Sequence, residues 1–272
     1  MTVDVEIICI GNELLIGKIM NTNAHWLATQ ATNLGANVRR ITVIQDNLGE
    51  IAAAINEAKE RKPNFIITTG GLGPTFDDMT LQGVAEALER KFEVNPFALE
   101  MVKQRCIEYA KKRGWSTDIE LTPPRVKMAK FPEKTQPLTN PLGTAPGLRV
   151  EMDGALLFVM PGVPAEMEAI FTQTIAPLIK QLVGKGVFCQ KSLIVKGIIE
   201  SSLAPLIDQV MADNEGVYIK SHASMGTKSK PYTELHMTMR TNEPNPTEKL
   251  AKAAKEIAEL IEASGGKIVV EP

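Results

Sequence analysis

The residues whose types and spacing could do chemistry are concentrated in segment 70–80, which directly follows the apolar run 64–69. The positions that suit such chemistry are Thr69, Gly70, Gly71, Gly73, Pro74, Thr75, Asp77, Asp78 and Thr80. Glycines let backbone N–H groups approach an anion, and a following helix N-terminus adds unpaired N–H groups. Two adjacent carboxylates would repel a bare phosphate, so they favour a divalent cation between themselves and the ligand. The segment therefore predicts a site for a phosphorylated ligand; the ordinary alternative is a tight turn in which Asp77 or Asp78 caps the helix.

Three other segments carry polar and glycine residues where strands or helices are expected to end. They are residues 11–17 with 21–23, residues 140–147 and residues 161–167. Each one alone is adequately explained as a loop or a helix start. Glu13 could join the aspartates around a metal or hold a ribose hydroxyl, and Glu166 is a carboxylate expected at the end of another central strand.

Apolar runs alternate with helical patterns along the first two thirds of the chain, which predicts an α/β fold with a mostly parallel sheet. The runs 5–10, 38–44, 65–69 and 156–160 are predicted strands. Ligands bind beyond the carboxyl ends of strands in such sheets, so Gly11 and Gly70 are expected at one edge. Residues 96–113 are predicted as a helix, and 125–131 as an exposed strand because they alternate. The glycines at 184 and 186 mark a boundary to a βαββαβ unit over residues 190–270.

Composition excludes several classes of function. The formal net charge of -2 and the pI near 6.0 give no global attraction to nucleic acid or anionic membranes. Cys9, Cys106 and Cys189 form no C-x-x-C pair, which argues against a disulfide framework or a zinc site. The N-terminus lacks the features of a signal peptide, and the run 155–160 is too short to span a bilayer. A soluble cytoplasmic protein with no membrane partner is expected.

No G-x-S-x-G, H-E-x-x-H or Walker A motif is present, so the sequence gives no support for a standard serine hydrolase, zinc protease or P-loop protein.

Taken together, the four segments resemble those of the CinA family. Residues 1–184 resemble the molybdopterin-binding domain shared with MogA, MoaB and gephyrin, whose fold is a three-layer α/β arrangement. Residues 185–272 resemble the smaller α+β KH-like domain of CinA proteins, although the G-x-x-G loop that clamps nucleic acid is missing. Nucleic-acid binding is therefore not expected. The C-terminal domain with which longer members deamidate nicotinamide mononucleotide is expected to be absent as well.

The resemblance implies metal-dependent hydrolysis of a dinucleotide pyrophosphate, with ADP-ribose as the expected substrate and FAD as a second candidate. The alternative is a non-hydrolytic module that binds molybdopterin or a nucleotide. A KH-type RNA-binding protein is a third hypothesis. It is disfavoured because the chain carries a slight net negative charge, which would not attract RNA. The family also suggests a homodimer.

The site residues follow from the resemblance together with the segments. The predicted catalytic residues are Asp78, Asp77 and Glu13. The predicted ligands of a divalent metal (Mg²⁺, Co²⁺ or Mn²⁺) are Asp78, Asp77 and Glu166. The predicted substrate contacts are Gly11, Asn12, Asn21, Asp46, Thr69, Gly70, Gly71, Gly73, Pro74, Thr75, Thr80, Asn140, Gly143, Thr144, Gly162 and Pro164.

Overall fold

A computed structural model describes residues 2–224, 232–241 and 245–269 of the chain. The chain divides into two units, Met1–Val183 and Gly184–Pro272. The predicted domains, 1–184 and 185–272, meet within one residue of this division. The second predicted domain extends into residues outside the described ranges, among them Val270 of its last predicted strand.

The first unit is built on a six-stranded sheet. Its described strands, including a separate pair, are β1 (Asp4–Ile10), β2 (Asn37–Ile44), β3 (Phe65–Thr69), β4 (Phe92–Val94), β5 (Lys130–Pro132), β6 (Gln136–Leu138), β7 (Gly147–Met152) and β8 (Ala155–Met160). The sheet order is β2-β1-β3-β8-β7-β6, and β4 pairs with β5 apart from it. Strands β1, β2, β3 and β8 are parallel, whereas β7 runs antiparallel to its two neighbours, β8 and β6. The predicted mostly parallel sheet is confirmed.

Helices cover both faces of this sheet. The described helices are α1 (Asn12–Leu15), α2 (Thr22–Asn33), α3 (Leu48–Glu60), α4 (Thr80–Ala87), α5 (Pro96–Arg113), α6 (Pro123–Lys127), α7 (Pro164–Ile170) and α8 (Ala176–Val183). Alternate residues of a strand point to opposite faces, so Ile66 packs with α3 and α4 while Ile67 packs with α2 and α7. Two apolar cores result, and the predicted three-layer arrangement is confirmed. A π-helical turn, Phe171–Ile175, joins α7 to α8.

The prediction of an exposed strand over residues 125–131 is wrong. The chain instead forms the short helix α6 and then the strand β5, in which Phe131 is fully buried. Two prolines, Pro123 and Pro124, open α6, because their fixed φ suits a first helical turn that needs no N–H donor. The apparent alternation of residues 125–131 spans the end of one element and the start of the next.

The second unit has the predicted βαββαβ order. Its described elements are β9 (Val187–Lys196), α9 (Glu200–Asp213), β10 (Val217–Ser224), β11 (Tyr232–Thr241), α10 (Pro246–Ala263) and β12 (Lys267–Val269). The sheet is antiparallel with the order β10-β11-β9-β12. Leu203 of α9 and Ile257 of α10 are fully buried in the core that covers one face of it. No helix in the described parts of either unit is long and apolar enough to cross a membrane.

Candidate functional site

A cavity of about 500 Å³ lies at the edge where the parallel strands β1, β3 and β8 end. Each of these neighbouring strands runs directly into one of the predicted segments, at Gly11, Gly70 and Pro161. The lining residues are Ile10, Gly11, Glu13, Asp46, Gly70, Gly71, Leu72, Gly73, Pro74, Asp77, Asp78, Met128, Thr144, Ala145, Pro161, Gly162, Val163 and Glu166. The parallel topology thus brings together residues from all four segments, as a parallel sheet is expected to do at this edge.

Gly70 and Gly71 are required by the way the strand ends pack. Gly70 has a φ of +113°, and a Cβ on it would fall against the carbonyl oxygen of Ile10 at the end of β1. Gly71 has a φ of +66°, and its Cβ would meet the hydroxyl of Thr80. That hydroxyl donates to Gly70 O at 2.9 Å, and the Thr80 side chain is fully buried. Thr80 therefore supports the turn from beneath and does not line the cavity.

Three other glycines of the site each lie against a carboxylate. A Cβ on Gly11 would be 2.5 Å from Glu13 Oε1, and a Cβ on Gly73 would be 2.5 Å from Asp78 Oδ2. A Cβ on Gly143 would overlap the carboxylate of Glu166. Any side chain at these positions would displace the acid beside it, so the glycines leave room for the protein's own carboxylates.

The two adjacent aspartates hold the loop that precedes α4. Asp78 Oδ2 accepts from the backbone N–H of Thr75 at 2.8 Å and from its hydroxyl at 2.6 Å, and Asp77 Oδ1 contacts the same hydroxyl. Helix α4 begins after Met79 with no side-chain cap. The alternative in which Asp77 or Asp78 caps this helix is therefore wrong. The hydrogen bond from Thr75 lowers the pKa of Asp77, and the nearby charge of Lys127 acts in the same direction.

Asp46 joins the end of β2 to the turn after β1. Its Oδ2 accepts from the backbone N–H of Asn12 at 2.9 Å. Burial raises the pKa of Asp46 above its ordinary value. The hydrogen bond from Asn12 opposes that rise, while the charges of Glu13, Asp77 and Asp78 add to it. The cavity therefore concentrates negative charge from four acids within electrostatic reach of one another.

Glu166 fastens the loop between β6 and β7. Its Oε2 accepts from Nδ2 of the buried Asn140 at 2.7 Å, and the same nitrogen donates to Ala145 O at 2.9 Å. Asn140 Oδ1 accepts from Gly143 N at 2.7 Å, and Arg105 Nε donates to Gly143 O at 2.9 Å. Asn140 and Gly143 thus lie behind the cavity wall, where they position Thr144 on its surface.

A recess of about 150 Å³ adjoins the cavity and shares Ile10, Glu13, Gly70 and Gly162 with it. Its other lining residues are Leu14, Ile19, Met20, Asn21, Thr22, Asn23, Thr69 and Pro164. Asn21 caps α2, because its side chain accepts from Ala24 N at 3.0 Å.

Asn23 is a polar residue of the site that the predicted contacts do not include. It donates from Nδ2 to Thr69 Oγ1 at 3.1 Å and to Gly162 O at 2.8 Å. The hydroxyl of Thr69 in turn donates to Pro161 O at 2.8 Å. This network ties α2 to the ends of β3 and β8. The sequence signals for it are its membership of segment 21–23 and its place in the first turn of α2, two residues after the cap.

The predicted site residues thus fall into three groups. Those lining the cavity are Gly11, Glu13, Asp46, Gly70, Gly71, Gly73, Pro74, Asp77, Asp78, Thr144, Gly162 and Glu166. Those lining only the recess are Asn21, Thr69 and Pro164. Those that line neither space are Asn12, Thr75, Thr80, Asn140 and Gly143. In the described ranges, no three His, Cys, Asp or Glu side chains are placed to hold a metal ion.

Comparison with known proteins gives concordant matches. Residues 6–181 match a family model described as a probable molybdopterin binding domain. A protein of Aeropyrum pernix is 43% identical over 267 residues, 97% of this chain and 96% of the relative. One of Pyrobaculum aerophilum is 41% identical over 261 residues, 96% of this chain and 95% of the relative. The crystal structure of the CinA protein of Thermoplasma acidophilum is 39% identical, with a TM-score of 0.57 over 64% of this chain and 98% of that one.

Proposed function

We propose, since the chain belongs to the family of probable molybdopterin-binding domains, that its first unit binds a phosphorylated heterocyclic ligand, either a pterin or a nucleotide. The observation that carries this proposal is the cavity at the ends of β1, β3 and β8, bordered by the glycine turn at residues 70–73. Backbone N–H groups exposed by glycines at a strand end favour an anionic group such as a phosphate. The cavity volume of about 500 Å³ is in the range of small-molecule sites.

The charge of the cavity limits how a phosphate can bind. Five carboxylates line it, and no lysine or arginine does so among the residues described there. The carboxylates are Glu13, Asp46, Asp77, Asp78 and Glu166. A doubly or triply negative phosphate would be repelled at short range unless a cation is bound with it. The ligand is therefore expected to bind together with a divalent ion.

The same excess of negative charge favours a second candidate function, metal-dependent hydrolysis of a dinucleotide pyrophosphate such as ADP-ribose or FAD. Carboxylate oxygens are hard donors suited to Mg²⁺, Mn²⁺ or Co²⁺. Because no three such side chains in the described ranges are placed together to hold an ion, phosphate oxygens of the ligand would have to complete its coordination. Asp77 and Asp78 would hold it through the oxygens that Thr75 leaves free, with Glu13 beside them. A bound ion of this kind neutralises phosphate oxygens and lowers the pKa of a bound water.

The chain's own residues have separate tasks in that reaction. The backbone at Gly70, Gly71 and Gly73 would hold the diphosphate and orient it. Asp46 fixes the turn at Asn12 and so keeps the Glu13 segment against the cavity. Glu166 is a positioning residue, because its Oε2 accepts a hydrogen bond from Asn140 and so holds in place the loop that carries Thr144. Catalysis would come mainly from positioning and electrostatics.

Two measurements on the full chain test the proposal. Titration calorimetry with ADP-ribose, FAD and a phosphorylated pterin, with and without Mg²⁺, tests binding. Chromatography of the same mixtures after incubation tests cleavage. Binding that requires the divalent ion supports the proposed function, and AMP released from ADP-ribose or FAD supports the hydrolytic candidate. Absence of binding for all three compounds would refute the proposal.

Asp78→Asn separates the two candidates. The asparagine Oδ1 can still accept from Thr75, so the loop is expected to keep its hydrogen bonds. Loss of one metal-holding carboxylate should lower hydrolysis on the order of 10²-fold or more. Hydrolysis at the wild-type rate in this variant, or without divalent ions, would contradict metal-dependent cleavage through Asp78, whereas no hydrolysis by wild type would leave only the binding function.

A further inference from the structure

We propose that the second unit binds a second copy of this chain through the open edge of β9. Residues 187–193 of the two copies would form an antiparallel strand pair about a two-fold axis at Gln190. Two four-stranded sheets would then join into one continuous sheet. This edge belongs to the second unit alone, so its pairing does not depend on the ligand or the reaction proposed for the first unit.

Most of one edge of β9 has no partner strand in the described ranges. On one side, β11 pairs with β9 from Val187 to Val195. On the other side, β12 pairs only with residues 194–196. Backbone N–H and C=O groups of alternate residues in segment 187–193 therefore point to a side where the described chain places no strand. An open edge of this length is a template for pairing with a further strand.

Space for a strand lies beside this edge. A cavity of about 730 Å³ is lined by residues 189–192 of β9 and by Thr247 and Leu250 of α10. Helix α10 contacts this part of β9 through side chains, because Cys189 Sγ lies 3.7 Å from Thr247 Oγ1. That contact does not use the backbone groups of the edge, which remain available for a ladder of hydrogen bonds.

The opposite edge of the same sheet, strand β10, is protected. The N–H of Ile219 donates to Met211 Sδ at 3.4 Å, and Ser221 Oγ donates to Glu200 Oε1 at 2.6 Å. Both acceptors belong to α9, so this helix covers the β10 edge. Lys220 is exposed between the two contacts, and a lysine on an edge strand disfavours pairing with another chain. The two edges therefore differ, and β9 carries the one suited to pairing.

The sequence of the open edge is complementary to itself about Gln190. The opposed pairs are then Val187 with Leu193, Phe188 with Ser192, Cys189 with Lys191, and Gln190 with its own copy.

This self-complementarity favours a second copy over a foreign peptide as the occupant. Lys191 is the one charged residue of segment 187–193, and in this register it meets no like charge. An axis at Lys191 would set two lysines directly opposite each other, which is unfavourable. Segment 187–193 is also symmetric about Gln190, so the partner strand fits without displacing β12. The contact is the isologous kind from which two-fold dimers are built.

Charge changes at Gln190 test the pairing on the full chain. Gln190 is exposed, and in the proposed dimer it would lie opposite its own copy. Gln190→Lys and Gln190→Glu each set like charges across the axis, whereas a mixture of the two variants sets opposite charges. Ser202→Lys and Ser202→Glu are the matched controls, because Ser202 is exposed on α9, the helix that contacts β10. Sedimentation velocity at several protein concentrations measures dimer formation.

Wild type is expected to dimerise. Each Gln190 variant alone should dimerise at least about 10-fold more weakly, because like charges brought together at an interface repel. The equimolar mixture should form dimers again, and both Ser202 variants should stay within about twofold of wild type. Added salt should reduce the defect of the Gln190 variants, since it screens exposed charges. If one Gln190 variant does not fold, the other still gives the like-charge comparison.

Four results would overturn the proposal. Wild type could remain monomeric at every concentration, or the Gln190 variants could dimerise as strongly as wild type, which would assign the dimer to another surface. Both variants could lose dimerisation without recovery in the mixture, which would show that Gln190 does not face its own copy. A chain ending at Val269 could dimerise while the full chain does not, which would make residues 270–272 the occupant of the edge.

Discussion

Replacing Gly70 with alanine is expected to destabilise the first unit strongly, because two independent costs coincide at this residue. Its φ of +113° is an angle that L-residues rarely adopt, and such strain costs about 1–3 kcal/mol. The new Cβ would also fall against the carbonyl oxygen of Ile10, and displacing packed groups costs about 1–3 kcal/mol. The two costs sum to about 2–6 kcal/mol, a large share of the roughly 5–15 kcal/mol that stabilises a typical folded protein.

Two glycines provide matched controls that separate these costs. Gly17 has a φ of +69°, and a Cβ on it would meet nothing within 4 Å, so Gly17→Ala tests strain alone, about 1–2 kcal/mol. Gly162 has no positive φ in the left-handed region, and its Cβ would be 3.4 Å from the Cα of Gly70. Gly162→Ala should be nearly neutral or stabilising by up to about 1 kcal/mol, because it reduces the entropy of the unfolded chain.

Urea unfolding followed by tryptophan fluorescence measures all three variants. Trp26 and Trp115 are the two tryptophans of the chain, and both belong to the first unit, so the signal reports on that unit. The expected order of destabilisation is Gly70→Ala, then Gly17→Ala, then Gly162→Ala. A Gly70→Ala variant within about 0.5 kcal/mol of Gly17→Ala would refute the claim that the neighbouring backbone adds a cost.

Three further changes give distinct results. Asp46→Asn should raise the thermal midpoint at neutral pH, since burial raises the pKa of Asp46 and its charge opposes folding. The charged form of Asp46 destabilises the folded state only above its raised folded-state pKa, so the gain in thermal midpoint should be full above that pKa. The gain should vanish below the ordinary pKa of about 3.9, where the carboxyl is protonated in both states. Differential scanning fluorimetry of both proteins over a range of pH measures this difference. Arg61→Ala should lower the free energy of unfolding in urea by about 2–3 kcal/mol, because it removes the bidentate ion pair of Glu6, a carboxylate that is only 2% exposed. A decrease of less than about 0.5 kcal/mol would contradict this. Thr75→Val should raise the pKa of Asp77, which carboxyl NMR titration measures directly; an unchanged pKa would contradict the assigned hydrogen bond.

Much of the fold could be predicted because local patterns and topology agree. The largely apolar runs of β1, β3 and β8 are those of strands buried on both faces. Helix α5 begins with Asn95 as its cap, followed by proline, and ends at Gly114 in the left-handed conformation. The CinA-like resemblance is confirmed by the family match and by the Thermoplasma acidophilum structure.

Tertiary contacts account for what could not be predicted. Glu6 lies within the apolar run of β1, and its burial depends on Arg61, 55 residues away. The glycine pattern indicates space for an anion, but Gly73 and Gly143 are needed because Asp78 and Glu166 lie against them. The requirement at Gly143 is invisible in sequence, because Glu166 belongs to a different element, α7.

The role of the acids changes accordingly. Glu166 is a predicted metal ligand, yet one of its oxygens fastens the loop at Asn140. Asp77 and Asp78 share the hydroxyl of Thr75, which orders their loop and leaves an oxygen of each for a ligand or ion. Sequence patterns therefore locate the acids correctly at one edge of the sheet but cannot apportion their structural and ligand-binding duties.

The central claim is that the cavity at the ends of β1, β3 and β8 binds a phosphorylated heterocycle. Gly162→Leu tests this claim most directly, because Gly162 lines both the cavity and the recess. The only atom within 4 Å of a Cβ at this position is the Cα of Gly70, at 3.4 Å, so the new side chain would fill ligand space with little disturbance of the fold. Gly49→Leu is the control, since Gly49 is exposed on α3 and lines neither space. Calorimetry with ADP-ribose or a phosphorylated pterin and Mg²⁺ should give affinity at least about 100-fold weaker for Gly162→Leu, with wild-type affinity for Gly49→Leu. Equal affinity in a folded Gly162→Leu variant and in wild type would contradict the account.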